Sequence, residues 1–364
     1  MKISDLDTPA VLIDVEVMER NLRRMSNYCS THSLKLRPHT KTHKIPDLAH
    51  SQLKLGAAGI TVAKLGEAEV MADAGINDIL IVYPLLGENK LDRLVKLAER
   101  VKCAVSIDSL EVAQGISRAA LSAGVTVGVR VEFDTGFARC GLPITERSAE
   151  TAQRIRELPN LRLEGVLTYP GHIMGTADER EILLARENAK LSALKELLDS
   201  REIDCAIVSG GNTPAAYISH RFRNVNEIRP GTYIFNDKNT VCAEAATYSD
   251  CAATVLATVV SVSVAGRAMI DAGSKTLSAD PLLSGPRLGY GEVLNYPDVT
   301  LEDLSEEHGH LNLQRTSTSP KLGERLRIVP NHICTCINLH DRVYGCSGED
   351  VVVQWEVQGR GKTQ

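Results

Sequence analysis

The densest chemistry in this 364-residue sequence lies in Arg37-Pro38-His39-Thr40-Lys41-Thr42-His43-Lys44, where two lysines and two histidines follow an apolar run. A lysine amine placed there can form an imine with a carbonyl compound, while the plainer alternative is a solvated basic loop. Two further stretches suit an anion. Ala206-Ile207-Val208 opens into Ser209-Gly210-Gly211-Asn212-Thr213, and Arg229-Pro230-Gly231-Thr232 follows downstream. Glycines let backbone N–H groups approach a phosphate and hydroxyls add donors, although simple turns need the same glycines. A lysine combined with two such loops suggests a phosphorylated aldehyde cofactor held as an imine.

Other polar groups cluster in the same way. Asp134-Thr135-Gly136-Phe137-Ala138-Arg139-Cys140-Gly141 offers Arg139 to polarise a cofactor ring atom, or to make a surface ion pair. Thr168-Tyr169-Pro170-Gly171-His172 offers Tyr169 as a ring contact and His172 as an acid or base. An imidazole titrates near pH 6.5, which suits proton exchange, but a core or surface histidine is the simpler role. Near the C-terminus, Pro330-Asn331-His332-Ile333-Cys334-Thr335-Cys336 reads as a strand. Residues i and i+2 of a strand share a face, so His332 and Cys334 can aim at one ion, with Cys336 on the same side. Nitrogen and sulfur ligands favour zinc, and two or three of them leave positions open; a buried cysteine-rich strand is the alternative.

These residues need a scaffold that gathers them. Eight apolar or β-branched runs end near Lys41, Lys64, Pro84, Asp108, Asp134, Gly171, Gly211 and Gly231, separated by segments of helical period such as 66–75 and 147–157. Eight alternating units predict an α/β fold of the (β/α)8, or TIM-barrel, type, in which catalytic groups stand at the carboxyl ends of the strands. Past Phe235 the runs at 253–264, 268–271, 326–328 and 351–356 read as strands of a mostly-β domain, which the run at 9–13 can join. The predicted division is a barrel over 16–238 and a β domain over 1–15 and 239–364, with 302–322 as the flexible stretch.

Composition limits the partners. Charged residues make up 24%, the formal net charge is -5, and the basic residues form no stripe, so no nucleic-acid partner is expected. There is no apolar leader or spanning segment, so a cytoplasmic protein without a membrane partner is expected, with its nine cysteines reduced.

Together the motifs resemble the fold-type III pyridoxal phosphate enzymes, specifically the D-threonine aldolase and D-serine dehydratase group. The resemblance spans nearly the whole chain, from Asp7-Thr8-Pro9-Ala10 through the Lys41 run, Ser209-Gly210-Gly211, Arg229-Pro230-Gly231-Thr232-Tyr233 and Asp271-Ala272-Gly273 to His332-Ile333-Cys334 and Asn338-Leu339-His340-Asp341. It implies an alanine racemase-like barrel, a β domain carrying a divalent metal, and a homodimer. It further implies pyridoxal 5'-phosphate on Lys41, with Arg139 and Tyr169 near its ring. Ser209, Gly210, Gly211, Gly231 and Thr232 would serve the phosphate, and His332 and Cys334 would hold the metal, as zinc. Substrates of the group are D-β-hydroxy amino acids. Aldolases of the group usually carry aspartate where this chain has Cys334, and a histidine a few residues beyond the turn that here reads Tyr169-Pro170-Gly171-His172. The dehydratases pair histidine with cysteine, as this chain does. The expected reaction is therefore dehydration and deamination to a 2-oxo acid and ammonia. Retro-aldol cleavage to glycine and an aldehyde is the alternative, followed by racemisation or cofactor binding without turnover.

Overall fold

A computed structural model describes residues 1–203, 205–283 and 289–364. They divide into two compact units, one formed by Met1–Arg24, Thr42–Ile45 and Thr232–Gly361, the other by Met25–Lys41, Pro46–Gly231 and Lys362–Gln364. The chain opens with β1 (Ala10–Asp14), in which Val11, Leu12 and Ile13 are fully buried, and continues into the amphipathic α1 (Val15–Thr31).

The second unit is the barrel. Its strands are β2 (Lys35–Leu36), β3 (Ile60–Val62), β4 (Asp78–Ile81), β5 (Lys102–Ile107), β6 (Val127–Glu132), β7 (Leu161–Leu167), β8 (Ile207–Gly210) and β9 (Glu227–Ile228). They run parallel in the order β2-β9-β8-β7-β6-β5-β4-β3. The two ends of that order meet through a bridge between His39 and Thr61, where Thr61 N–H donates to Pro38 O at 2.8 Å, so the sheet closes two residues before Lys41. Between the strands stand α2 (Pro46–Lys54), α3 (Leu65–Asp73), α4 (Glu88–Ala98), α5 (Leu110–Ala123), α6 (Glu146–Arg156) and α7 (Ala177–Asp199), and β8 reaches β9 through the 3-10 helix Ala216–Arg221. Helix starts follow side-chain capping: the hydroxyls of Ser109, Thr145 and Thr176 accept from the N–H groups of Val112, Ser148 and Glu179.

Strands covered on both faces read as apolar runs, which is why 79–81 and 103–107 signal strands without alternation. β6 is different. Val127, Val129 and Val131 alternate with Gly128, Arg130 and Glu132, and the latter set faces the barrel interior. There Arg130 Nη1 meets Glu227 Oε1 of β9 at 2.5 Å, while Arg37 Nε meets Glu227 Oε2 at 2.9 Å. Burial alone would raise the Glu227 carboxyl, but the two guanidiniums hold it down at about 2. The barrel is thus filled in part by a buried ionic network, in which each charge keeps a partner.

In the first unit β1 lies between β10 (Ala253–Ser261), antiparallel, and β16 (Arg342–Ser347), parallel. The remaining strands are β11 (Arg267–Ile270), β12 (Gly291–Val293), β13 (Thr300–Leu304), β14 (Gly309–Asn312), β15 (Arg325–Pro330) and β17 (Asp350–Glu356). Among the described residues the order is β13-β14-β11-β10-β1-β16-β17, with β15 pairing both β10 and β12. Among the described residues the unit also holds the short α-helices α8 (Lys238–Cys242), α9 (Ser274–Leu277) and α10 (Ile333–Ile337). The stretch 302–322, expected to be flexible, instead contributes the end of β13 and all of β14, an antiparallel pair in which buried Leu301 faces buried Leu311. This cross-strand pair of leucines anchors a hairpin despite its charged and small neighbours. No helix among the described residues is long and apolar enough to cross a membrane, and all nine cysteines are free.

Candidate active site

Within the barrel unit a cavity of about 420 Å³ opens at the carboxyl ends of the strands. Lys41, Arg139, Tyr169 and Gly211 line it, so four residues singled out by type and position come together from the ends of β2, β6, β7 and β8. Its volume lies in the range of about 300–1,000 Å³ common for small-molecule sites. The closing bridge sets Lys41. His39 pairs with Thr61, and the Lys41 N–H donates to His39 Nδ1 at 3.3 Å within the 3-10 turn Thr40–Thr42. Arg139 lies over the Tyr169 ring at 4.6 Å, and Phe137 meets that ring edge-on at 5.1 Å. Gly211 has φ +80, which favours glycine, and a Cβ there would press on Ile228 at 3.1 Å, so a glycine suits this place in the cavity wall.

Among the cavity residues to which the sequence assigns no role are His39, Glu132 and Arg229. Arg229 Nη1 donates to Ser209 Oγ at 2.5 Å and Nη2 to Thr168 O at 2.7 Å. Burial pushes this guanidinium down to about 10, against the pull of Glu227 and Glu132, and it stays charged at neutral pH. Glu132 accepts from the Ser106 hydroxyl at 2.6 Å. Glu132 closes β6 and Arg229 follows β9, and that position at a barrel strand end is the signal that marks them.

Other expected residues sit elsewhere. The Ser209 hydroxyl donates to Glu227 at 2.7 Å while it accepts from Arg229, so it is committed to the buried network rather than presented to a ligand. Gly210 accepts the Arg229 N–H at 3.1 Å through its carbonyl. Gly231 closes its segment of the barrel unit and is buried, whereas Thr232 begins the next segment of the other unit. His172 does not line the cavity: past Pro170-Gly171 the chain carries its Nε2 to 3.7 Å from Glu187 of α7. Burial lowers the His172 pKa and raises that of Glu187 to about 7.

The cavity fits a planar phosphorylated aldehyde. It presents an amine at Lys41, an aromatic face at Tyr169, a close backbone approach at Gly211 and a fixed cation at Arg229.

The His332 and Cys334 segment belongs to the other unit, and it is not a strand. β15 ends at Pro330, which has no N–H for the ladder, and the chain turns into α10 with His332 as its extended N-cap. A buried carboxylate drives that turn: Asp237 Oδ2 accepts the Ile333 N–H at 3.1 Å. The same oxygen lies 3.3 Å from His332 Nδ1, which leaves Nε2 as the nitrogen free of that carboxylate. Burial disfavours the imidazolium, yet the charges of Cys334 and Asp237 outweigh it and hold His332 well above its ordinary pKa. Cys334 Sγ stands 3.1 Å from Thr42 Oγ1 and 3.6 Å from Thr232 Oγ1. Cys336 points elsewhere, because helical residues two apart diverge; its thiol donates to Thr276 O at 3.2 Å and burial pushes it up to about 12. Among the described residues no group of three or more His, Cys, Asp or Glu side chains gathers for a metal. His332 and Cys334 with a carboxylate behind the imidazole nonetheless fit a divalent ion with open positions.

The sequence matches the alanine racemase N-terminal domain over residues 13–239 and the putative serine dehydratase domain over residues 252–346. It is 34% identical to a D-threonine aldolase of Arthrobacter sp, over 99% of this chain and 94% of that one. It is 33% identical to the D-threo-3-hydroxyaspartate dehydratase of Delftia sp. (strain HT23), over 96% of this chain and 97% of that one. The crystal structure of D-threonine aldolase from Filomicrobium marinum superposes with a TM-score of 0.93 at 33% identity, covering 100% of this chain and 98% of that one. Structures of D-threo-3-hydroxyaspartate dehydratase superpose at 0.88 and 31% identity; they include a cysteine-to-alanine variant in the metal-free form and a histidine-to-alanine variant two positions upstream of that cysteine. The chain therefore belongs to the family of lyases that joins an alanine racemase N-terminal domain to a serine dehydratase domain and contains the D-threonine aldolases and D-threo-3-hydroxyaspartate dehydratases.

Proposed function

We propose that this protein is a pyridoxal phosphate- and divalent metal-dependent lyase that dehydrates and deaminates a D-β-hydroxy-α-amino acid, releasing a 2-oxo acid and ammonia. The observation that carries the choice of reaction is the His332 and Cys334 pair, with Asp237 behind the imidazole. Its order and spacing equal those of the histidine and cysteine substituted in the dehydratase variants.

In this reading Lys41 is the cofactor's attachment point and, once displaced by substrate, the amine that takes the α-proton. Arg139 stacked on Tyr169 orients the ring, and the Gly211 backbone with buried Arg229 receives the phosphate end. Bound pyridoxal phosphate supplies an electron sink for the carbanion at Cα. His332 and Cys334 would hold zinc, a Lewis acid suited to a departing hydroxyl. The balance is simple: the α-proton and the β-hydroxyl leave as water, one water returns on hydrolysis, and nitrogen departs as ammonia.

Retro-aldol cleavage is the second reading, favoured by the higher TM-score to the Filomicrobium aldolase, 0.93 against 0.88. Against it, His172, one of the histidines that could take a hydroxyl proton, is held near Glu187 and does not line the cavity. Product analysis after incubating the zinc-supplemented enzyme with D-threonine separates the two. The expected products are 2-oxobutanoate and ammonia; glycine and acetaldehyde would overturn the dehydratase reading in favour of the aldolase.

A further inference from the structure

One cation of the cavity is left over after the proposed function has used the rest. The lining carries Lys41, Lys64, Arg139 and Arg229 against a single carboxylate, Glu132. Lys41 takes the cofactor under that reading, Arg139 stacks on Tyr169, and Arg229 is fixed by Ser209 and Thr168. Lys64 forms no ion pair with any carboxylate among the described residues. Its backbone N–H bonds Glu67, while its ammonium rests over the Tyr83 ring, 3.5 Å from the centroid. Lys64 closes β3 and Tyr83 follows β4, so two neighbouring strand ends hold the pair in place, and both residues line the cavity.

A cation over an aromatic face is only partly desolvated on one side and keeps donors for an anion on the other. The ring also restricts the lysine's rotamers, which reduces the entropy lost when a ligand binds. We infer that Lys64, steered by Tyr83, is the subsite for a carboxylate of the amino-acid substrate. Every amino-acid substrate brings one carboxylate at Cα, and an acidic one brings a second on its side chain. The inference rests on the proposed substrate class, and it adds a specificity-determining contact that neither the cofactor nor the metal supplies.

The test measures binding without turnover. D-alanine and D-aspartate lack a β-hydroxyl, so neither can undergo the proposed elimination, and calorimetric titration of the holoenzyme reads their affinity directly. Replacing Lys64 by methionine (K64M) removes a charge-assisted hydrogen bond and is expected to weaken binding about 10-fold or more, while K64R stays within about 3-fold of the parent. Weakening for both ligands assigns the α-carboxylate; weakening confined to D-aspartate assigns the side-chain carboxylate. Unchanged affinity of K64M for both would overturn the subsite. The Lys41-dependent cofactor absorbance of the same samples reports separately on the proposed function and on folding. Should that absorbance never form, succinate titrated into the parent protein and K64M still reads Lys64, and equal affinities would again reject it.

Discussion

Asp237 holds His332: its Oδ2 lies 3.3 Å from the imidazole Nδ1 and accepts the Ile333 N–H that follows. The carboxylate is itself fixed, 1% exposed and bonded through Oδ1 to the Thr240 N–H at the start of α8. One residue thus caps two helices and sets the tautomer and direction of a metal-type ligand. Asp237→Asn keeps one oxygen, which can accept from one of the two amides, and removes the charge behind the imidazole. Its zinc affinity, by equilibrium dialysis against a competing chelator, is expected to fall about 10- to 100-fold with the fold retained. Asp237→Ala should lose the caps as well, and with them thermal stability.

The two cysteines of α10 should behave oppositely. Cys334 shares its surroundings with His332, Thr42 and Thr232, whereas the fully buried Cys336 thiol donates to Thr276 O. Cys334→Ala is expected to purify without stoichiometric zinc, read by elemental analysis. Cys336→Ala should retain zinc and lose about 1 kcal/mol of stability to the small cavity it leaves, read from denaturant midpoints.

These contrasts also mark what the sequence makes legible. Strand runs covered on both faces and closed by polar residues identify the barrel and place Lys41, Arg139, Tyr169 and Gly211 at one cavity, because in this architecture the strand end dictates the location. Ser209 and His172 carry the same signal and turn away, since a hydroxyl's partners, Glu227 and Arg229, and an imidazole's neighbour on α7 are set by packing between distant segments. The metal pair is legible by residue type and illegible by conformation. The cap from Asp237, 95 positions before His332, decides helix over strand, and no local pattern around His332 announces it. Arg130 is visible only as an alternation within an otherwise apolar strand.

Lys41 and Lys44 stand in one run, and the structure separates them. Lys41 lines the cavity, while Lys44 Nζ donates to Asn338 Oδ1 at 2.7 Å. Lys41→Ala should abolish the visible absorbance that marks the cofactor's covalent attachment. Lys44→Ala should keep that absorbance and show its effect as a lower melting temperature, because the half-buried Asn338 oxygen loses its charged donor and keeps the Gly361 N–H at 3.2 Å. Loss of the absorbance in Lys44→Ala, with retention in Lys41→Ala, would exchange the two roles.

Glu187 gives the protein a stability that declines with pH. Burial raises its carboxyl from 4.5 to about 7, and only 1% of the residue is exposed. Between those two values the folded state binds more protons than the unfolded state, so unfolding free energy decreases as pH rises through the window. The full shift corresponds to a loss on the order of 3 kcal/mol from this one site, complete above about pH 7. Glutamine at 187 has no proton to release and mimics the neutral acid. Denaturant unfolding at pH 5 and pH 8 should therefore show a smaller loss of stability in Glu187→Gln than in the parent, with the variant the more stable of the two at pH 8. Equal losses in both proteins would mean that Glu187 is already ionised at neutral pH, paired with His172 as an imidazolium across the 3.7 Å that separates them.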